Sequence, residues 1–319
     1  MPLSTLRRWL GLSGQDSAES RRFDNYQIVR IIHDGEKAAV YLARSPREEG
    51  LFAIKAYKPE YNRTARRMRK RYHLRSEGEI GMMLNAPHGS ADYPIVRTIL
   101  FGHEFDDPSR CQYIIQEYVE GLNLKLMIGC GHPLLAEKRY DIARAVGRAL
   151  ATIHDRGMLH RDVCSDNVLV PPDGRAKLID LGFVAPAGMA FPEKSGTPSY
   201  MAPEQFQAKP LRPAADIYSF GVVMFEMFTG RLPFTTPFNS SNPDLMMRRT
   251  SELMKQHLHA RPPHPCEIAT GIPEEMGALI LRCLEKAPEK RPPTMAALLA
   301  EMGQIALKDR ASAPEAPAT

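Results

Sequence analysis

Alternating apolar and polar residues dominate the first third of the chain. The period-two stretches at 26–32, 39–43, 51–57, 95–102 and 112–118 predict strands, set around one helix at 75–85. Near Gly121 the period changes. Residues 136–155 form an amphipathic helical pattern ending before Gly157, and 215–229 is apolar nearly all round, which predicts a buried central helix stopping at Gly230. Further helices are predicted at 243–257, 273–285 and 294–306. Between the two regimes, 168–170 and 176–179 read as short strands joined by the turn Pro171-Pro172-Asp173-Gly174, a hairpin. From 307 onward Ala, Pro and Ser predominate, and a disordered tail over 307–319 is expected. No internal repeat is present.

Composition narrows the class. With 319 residues, 43% hydrophobic and 25% charged, the chain can fold as one large or two coupled soluble domains. No apolar run reaches the length of a bilayer span. Arg7 and Arg8 interrupt the N-terminus where a secretory signal needs an unbroken apolar stretch. The five cysteines, Cys111, Cys130, Cys164, Cys266 and Cys283, are scattered without metal-ligand spacing, which points to a reducing compartment and a cytoplasmic location. The net charge of +5 comes partly from Arg63, Arg66, Arg67, Arg69, Lys70, Arg71 and Arg75. A solvated helix face accounts for that cluster, and no nucleic acid is expected. Leu3, Leu6 and Leu10 recur at helical spacing beside Trp9, Arg7 and Arg8. Contact with a membrane surface is one reading of this extension over 1–25; for so short a stretch a frayed terminus or a helix packed on the domain is preferred.

The chemistry concentrates around the hairpin. Asn167 enters it and Asp180 leaves it, so both side chains lie at its open end and can offer oxygen to one divalent cation, Mg2+ being the natural candidate. Asp162 lies a few residues earlier, placed to take a proton from a hydroxyl beside that metal. Alone, either aspartate would read as a solvated turn carboxylate. Their shared spacing argues for a phosphoryl-transfer centre.

With these parts placed, the chain resembles the eukaryotic-type serine/threonine protein kinases over 26–306. The resemblance rests on an ordered series: Phe52-Ala53-Ile54-Lys55, Glu79-Ile80, His160-Arg161-Asp162-Val163-Cys164-Ser165-Asp166-Asn167, Asp180-Leu181-Gly182, Gly196-Thr197-Pro198-Ser199-Tyr200-Met201-Ala202-Pro203-Glu204, Asp216-Ile217-Tyr218-Ser219-Phe220-Gly221 and Lys290-Arg291-Pro292. It implies an α+β, bilobal protein-kinase fold: a small β-rich N-lobe over 26–119 with one main helix, a hinge near 117–123, and a larger α-helical C-lobe over 124–306. It also implies ATP and Mg2+ as cofactors and a protein hydroxyl as acceptor.

Residue by residue, the resemblance makes Asp162 the base, and Asn167 and Asp180 the metal ligands. Lys55 holds the nucleotide phosphates, oriented by an acidic partner. Glu79 is preferred over Glu77 as that partner, because Ile80, Met83 and Ala86 then follow at core-facing offsets, whereas Glu77 puts Gly81 at the first of them. Gln116 takes the gatekeeper position, and Glu117 to Val119 offer main-chain groups to adenine. Asn123 either meets the ribose or caps its own backbone. Thr197 before Pro198 resembles the serine/threonine-specific form, its hydroxyl on the catalytic aspartate. Glu204 and Arg291 resemble the family's buried ion pair, and Asp216 the anchor of the catalytic-loop backbone. Arg161 resembles an arginine neutralised by a phosphorylated loop residue, for which Ser195 is the nearest acceptor; 183–194 holds no Ser, Thr or Tyr, which argues against multisite loop phosphorylation.

Two departures qualify the resemblance. The three glycine places of the phosphate-covering loop are His33, Gly35 and Ala38, so only Gly35 survives, and Asp34 adds a negative charge beside the phosphates. Cys164 stands where such kinases usually carry a phosphate-contacting lysine. Lys37, at the loop tip, is the candidate for the missing charge, and Cys164 is an oxidation-sensitive brake if its thiolate is populated. The competing reading is a pseudokinase that binds nucleotide or partners without transfer. The joint presence of Lys55, Asp162, Asn167 and Asp180 favours the enzyme.

Overall fold

The computed structural model describes residues 23, 26–86, 92–103, 112–191, 196–237 and 242–312. The N-terminal stripe around Trp9, Cys111 and Ser195 lie outside the described residues. Among those described, residues up to 86 together with 96–118 form one compact unit; 92–95 and everything from 119 form the second. No helix among the described residues is long and apolar enough to cross a membrane.

The first unit is an antiparallel sheet of β1 (Gln27–Asp34), β2 (Ala38–Arg44), β3 (Leu51–Tyr57), β4 (Thr98–His103) and β5 (Gln112–Glu117), in the order β1-β2-β3-β5-β4. Period-two alternation puts Tyr41, Phe52, Ile54, Tyr113 and Ile115 into one cluster, which Phe23 and Tyr26 extend. The predicted strand at 95–102 starts late. Ile95 instead bridges Leu178, and Pro94 O accepts from Leu178 N at 2.8 Å, so the first residues of that stretch serve the second unit.

Two helices accompany the sheet where one main helix is expected. The added helix, α1 (Pro59–Tyr72), carries the basic cluster; Arg63, Arg66, Arg67, Lys70 and Arg71 are exposed, while Arg69 reaches Gln112 Oε1 at 3.0 Å. The expected helix, α2, spans Glu77–Leu84.

The second unit is mostly helical. Its small sheet holds β6 (Leu122–Asn123), β8 (Val168–Val170) and β9 (Lys177–Leu178), with a separate pair β7 (Met158–Leu159) and β10 (Ala185–Pro186). The long helices are α4 (Pro133–His154), which follows the short α3 (Leu124–Cys130), and α6 (Pro213–Thr229), which follows α5 (Pro203–Phe206). As the apolar pattern requires, α6 is buried from Ala215 to Phe228, and Gly230 ends it at φ 77, a left-handed conformation that suits glycine. Then come α7 (Pro243–His259), α8 (Pro265–Ile268), α9 (Glu274–Cys283) and α10 (Met295–Ser312).

The last helix corrects the expected tail. It runs past 306 to Ser312, because 306–311 combine good helix formers with polar anchors: Tyr140 donates to Asp309 Oδ2 at 2.8 Å, and Lys308 meets Glu275 at 3.1 Å. Residues 313–319 lie outside the described part.

Candidate active site

In the first unit, Lys55 projects from β3 between buried Ile54 and Ala56, and its ammonium meets the Glu77 carboxylate at 3.0 and 3.1 Å. The side chain of Glu77 is 3% exposed and also accepts from Tyr57 OH. This overturns the preference for Glu79. Glu79 is exposed and closes a capping box: its carboxylate accepts from Ser76 N at 2.6 Å, while Ser76 Oγ accepts from Glu79 N at 3.3 Å. Those backbone and hydroxyl hydrogen bonds from Ser76, with Arg75 and Arg69 nearby, hold its carboxyl below the usual range.

The error has a physical cause. Counting apolar residues treats Gly78 and Gly81 as gaps, yet a Cβ at Gly78 would overlap Phe101 and one at Gly81 would overlap Thr98. The glycines mark the closely packed face, and Glu77 shares it. Glu79→Ala is expected to cost about 1 kcal/mol through the lost cap and leave Lys55 paired. Glu77→Ala should lower any phosphoryl-transfer rate. Denaturant titration and rate measurement on both variants decide this; a rate defect confined to the Glu79 variant would return the role to Glu79.

The loop between β1 and β2 is closed by Gly35 N donating to Ala38 O at 3.0 Å. Asp34, expected to repel phosphate, is paired with Lys58 at 3.1 Å. The Lys37 ammonium lies 5.9 Å from the Tyr61 ring centroid. On β5, the Gln116 amide nitrogen is buried without a hydrogen-bond partner, directly before the segment 117–119. Glu117 binds within the unit through Arg97, its carboxylate accepting from Arg97 N at 2.9 Å.

In the second unit the catalytic loop runs from His160 to the 3-10 turn Ser165–Asn167. Arg161 is held at φ 70, an unusual conformation for a side-chain-bearing residue. Asp216, from α6, fixes it there, accepting from His160 N at 2.8 Å and Arg161 N at 2.9 Å while His154 Nε2 lies at 2.8 Å. Burial alone would push the Asp216 carboxyl up; the bond and charge of His154, with His160 and the Arg161 N–H, more than offset it, and its pKa is lowered.

Asp162 Oδ1 accepts from both the N–H and the hydroxyl of Thr197, each at 2.8 Å. The Asn167 amide nitrogen donates to Asp162 O at 2.9 Å, which leaves its oxygen as the atom to offer a cation. Asp180 closes a turn by accepting from Gly182 N at 2.9 Å. An amide oxygen and a carboxylate suit a hard divalent ion, and an orphaned donor at Gln116 suits a purine acceptor. The residues present therefore fit both groups.

Cys164 is buried, and burial first, then the charge of Asp162, pushes its thiol well above the ordinary range. That removes the thiolate the oxidation-brake reading needs. Arg161 also has partners within the chain: its guanidinium lies 3.4 Å from the Phe191 ring centroid and donates to Phe183 O at 3.3 Å. Asn123 caps α3, accepting from Lys125 N at 2.9 Å and donating to Asp166 O at 2.6 Å.

One cluster escaped the sequence reading. Glu226 on α6 is buried and accepts from Ser165 Oγ at 2.8 Å and Tyr200 OH at 2.7 Å, with Lys125 of α3 as its counter-ion. It thereby ties the catalytic loop to the Thr197 segment. Only a charge inside the apolar pattern of 215–229 signalled it.

The family profile described as Protein kinase domain matches residues 26–302. The chain belongs to the protein kinase family. Serine/threonine-protein kinase PknB of Mycobacterium tuberculosis is 27% identical over 300 residues, 92% of this chain and 44% of its own. Serine/threonine-protein kinase PrkC of Bacillus subtilis is 29% identical over 273 residues, 83% of this chain and 38% of its own. The chain thus spans less than half the length of these relatives. The crystal structure of the Mycobacterium tuberculosis PknI kinase domain superimposes with a TM-score of 0.61 at 23% identity, covering 88% of this chain and 95% of that one. That likeness places the α+β protein-kinase fold. Membership of the kinase family implies ATP, a divalent cation and a protein substrate.

Proposed function

We propose that this kinase domain transfers the terminal phosphoryl group of ATP to a serine or threonine hydroxyl, with Asp162 as base. The observation that carries the reading is the pair of 2.8 Å hydrogen bonds by which Thr197 aims Asp162 Oδ1. They hold the carboxylate through Oδ1, so that Oδ2, with the Asn167 amide nitrogen at 3.4 Å, keeps a lone pair to receive the acceptor's proton, a geometry that solvated turn aspartates lack. Asn167, through its amide oxygen, and Asp180, through its carboxylate, would hold Mg2+, whose chemistry is to supply positive charge to the phosphates. Lys55, kept charged and oriented by Glu77, would hold the nucleotide phosphates, and the main chain of Glu117 and Val119 would meet adenine. Lys37 would be the cation that meets the terminal phosphate in place of the lysine that such kinases usually carry where this chain has Cys164.

Incubation with Mg2+, γ-labelled ATP and a generic acceptor protein tests the reading by phosphoamino-acid analysis. Label on serine or threonine is expected. Nucleotide binding without label would replace the enzyme by a pseudokinase. In the same assay Lys37→Ala is expected to lower turnover more than nucleotide affinity; an unchanged turnover number removes Lys37 from the role.

A further inference from the structure

We propose that His264, Cys266 and Glu274 form a Zn2+ site on the segment joining α7 to α9. One nitrogen of His264, the sulfur of Cys266 and a carboxylate oxygen of Glu274 all lie within 4.8 Å of one another. His264 caps α8, its Nδ1 accepting from Cys266 N at 3.3 Å, and its Nε2 faces Glu274 Oε1 at 3.4 Å. The Cys266 sulfur lies 3.5 Å from Ile272 O and 4.0 Å from Pro273 O, turned toward the start of α9. Gly277 of α9 makes the convergence possible. A Cβ there would stand 2.8 Å from His264 Cε1 and 3.0 Å from Cys266 Sγ, so any other residue would push the imidazole and thiol away.

The donor set selects the ion. A thiol, an imidazole and a carboxylate suit a borderline-soft cation in tetrahedral geometry, whereas Mg2+ and Ca2+ take oxygen alone. Glu274 is 80% exposed on its side chain, so the site opens to solvent and a water can supply the fourth ligand. Binding releases the thiol proton to solvent. Because Nδ1 now accepts an N–H, the ring proton sits on Nε2; metal at Nε2 moves that proton to Nδ1 and breaks the long Cys266 N–H contact. The site is built from other residues than those assigned to phosphoryl transfer, and its test does not depend on activity.

The full chain, stripped of metal, is titrated with Co2+ as a spectroscopic substitute and then with Zn2+. One Co2+ per chain with a thiolate charge-transfer band is expected, displaced by Zn2+. Cys266→Ser should abolish the band, and Cys130→Ser, at an exposed cysteine, should retain it. Glu274→Gln and His264→Asn should weaken binding at least about tenfold, the asparagine preserving a helix cap. Zn2+ should raise the melting temperature of the parent protein and not of the Cys266 variant. Absence of a thiolate band, or a band surviving Cys266→Ser, overturns the proposal.

Discussion

Asp162→Asn is expected to reduce phosphoryl transfer by about 10²- to 10⁴-fold, the usual contribution of a positioned base. Asparagine is nearly isosteric and keeps one oxygen to accept from the N–H and hydroxyl of Thr197, so the loop conformation survives. What it lacks is a basic oxygen. Its amide would also face the Asn167 amide nitrogen, which lies 3.4 Å from Asp162 Oδ2, and two donors there repel rather than bind. The loss should therefore fall on turnover, with nucleotide affinity and melting temperature close to those of the parent. Steady-state kinetics with a nucleotide-binding isotherm check this. A variant retaining more than about a tenth of parental turnover would remove Asp162 from the role of base.

Arg291→Ala is expected to destabilise the second unit by about 3 to 5 kcal/mol, the cost of breaking a buried ion pair from one side. The Arg291 side chain is 0% exposed and meets Glu204 at 2.7 and 3.0 Å. It also donates to Ala214 O at 2.7 Å, Glu285 O at 2.8 Å and Lys286 O at 3.1 Å. Truncation would leave the Glu204 carboxylate buried without its cation and remove one donor from each of three carbonyls. Part of the cost is the stranded charge. Pairing Arg291→Met with Glu204→Gln should accordingly recover a measurable share, and urea midpoints of the two single variants and the double variant give the coupling. A loss under about 1 kcal/mol for Arg291→Ala would show that this pair does not hold the segment.

The catalytic loop and the hairpin after it were legible because local rules place them. A turn between two short strands brings its ends together whatever surrounds it, so Asn167 and Asp180 could be paired from spacing. The central helix was legible for the same reason, since an apolar pattern on every face leaves burial as its only solution. Glu77 was not legible. Choosing it needed the knowledge that Phe101 and Thr98 press against Gly78 and Gly81, and a small residue at a close contact looks in sequence like an empty place.

Sequence alone placed the strands of the first unit, the long helices of the second and the family resemblance, and it singled out Lys55, Asp162, Asn167 and Asp180 as the candidates for phosphoryl-transfer chemistry; it did not foresee the helix Pro59–Tyr72. Each feature it placed depends on local periodicity or on residues within a few positions of one another. Tertiary structure decided which acid pairs with Lys55, that Cys164 is a buried thiol rather than a redox switch, that Lys125 neutralises Glu226, and that His264, Cys266 and Glu274 converge over Gly277. The Lys55 and Glu226 pairings turn on contacts between separate elements, the His264 cluster on how α8 folds back against α9, and the state of Cys164 on desolvation, all of which exist only once the elements have packed.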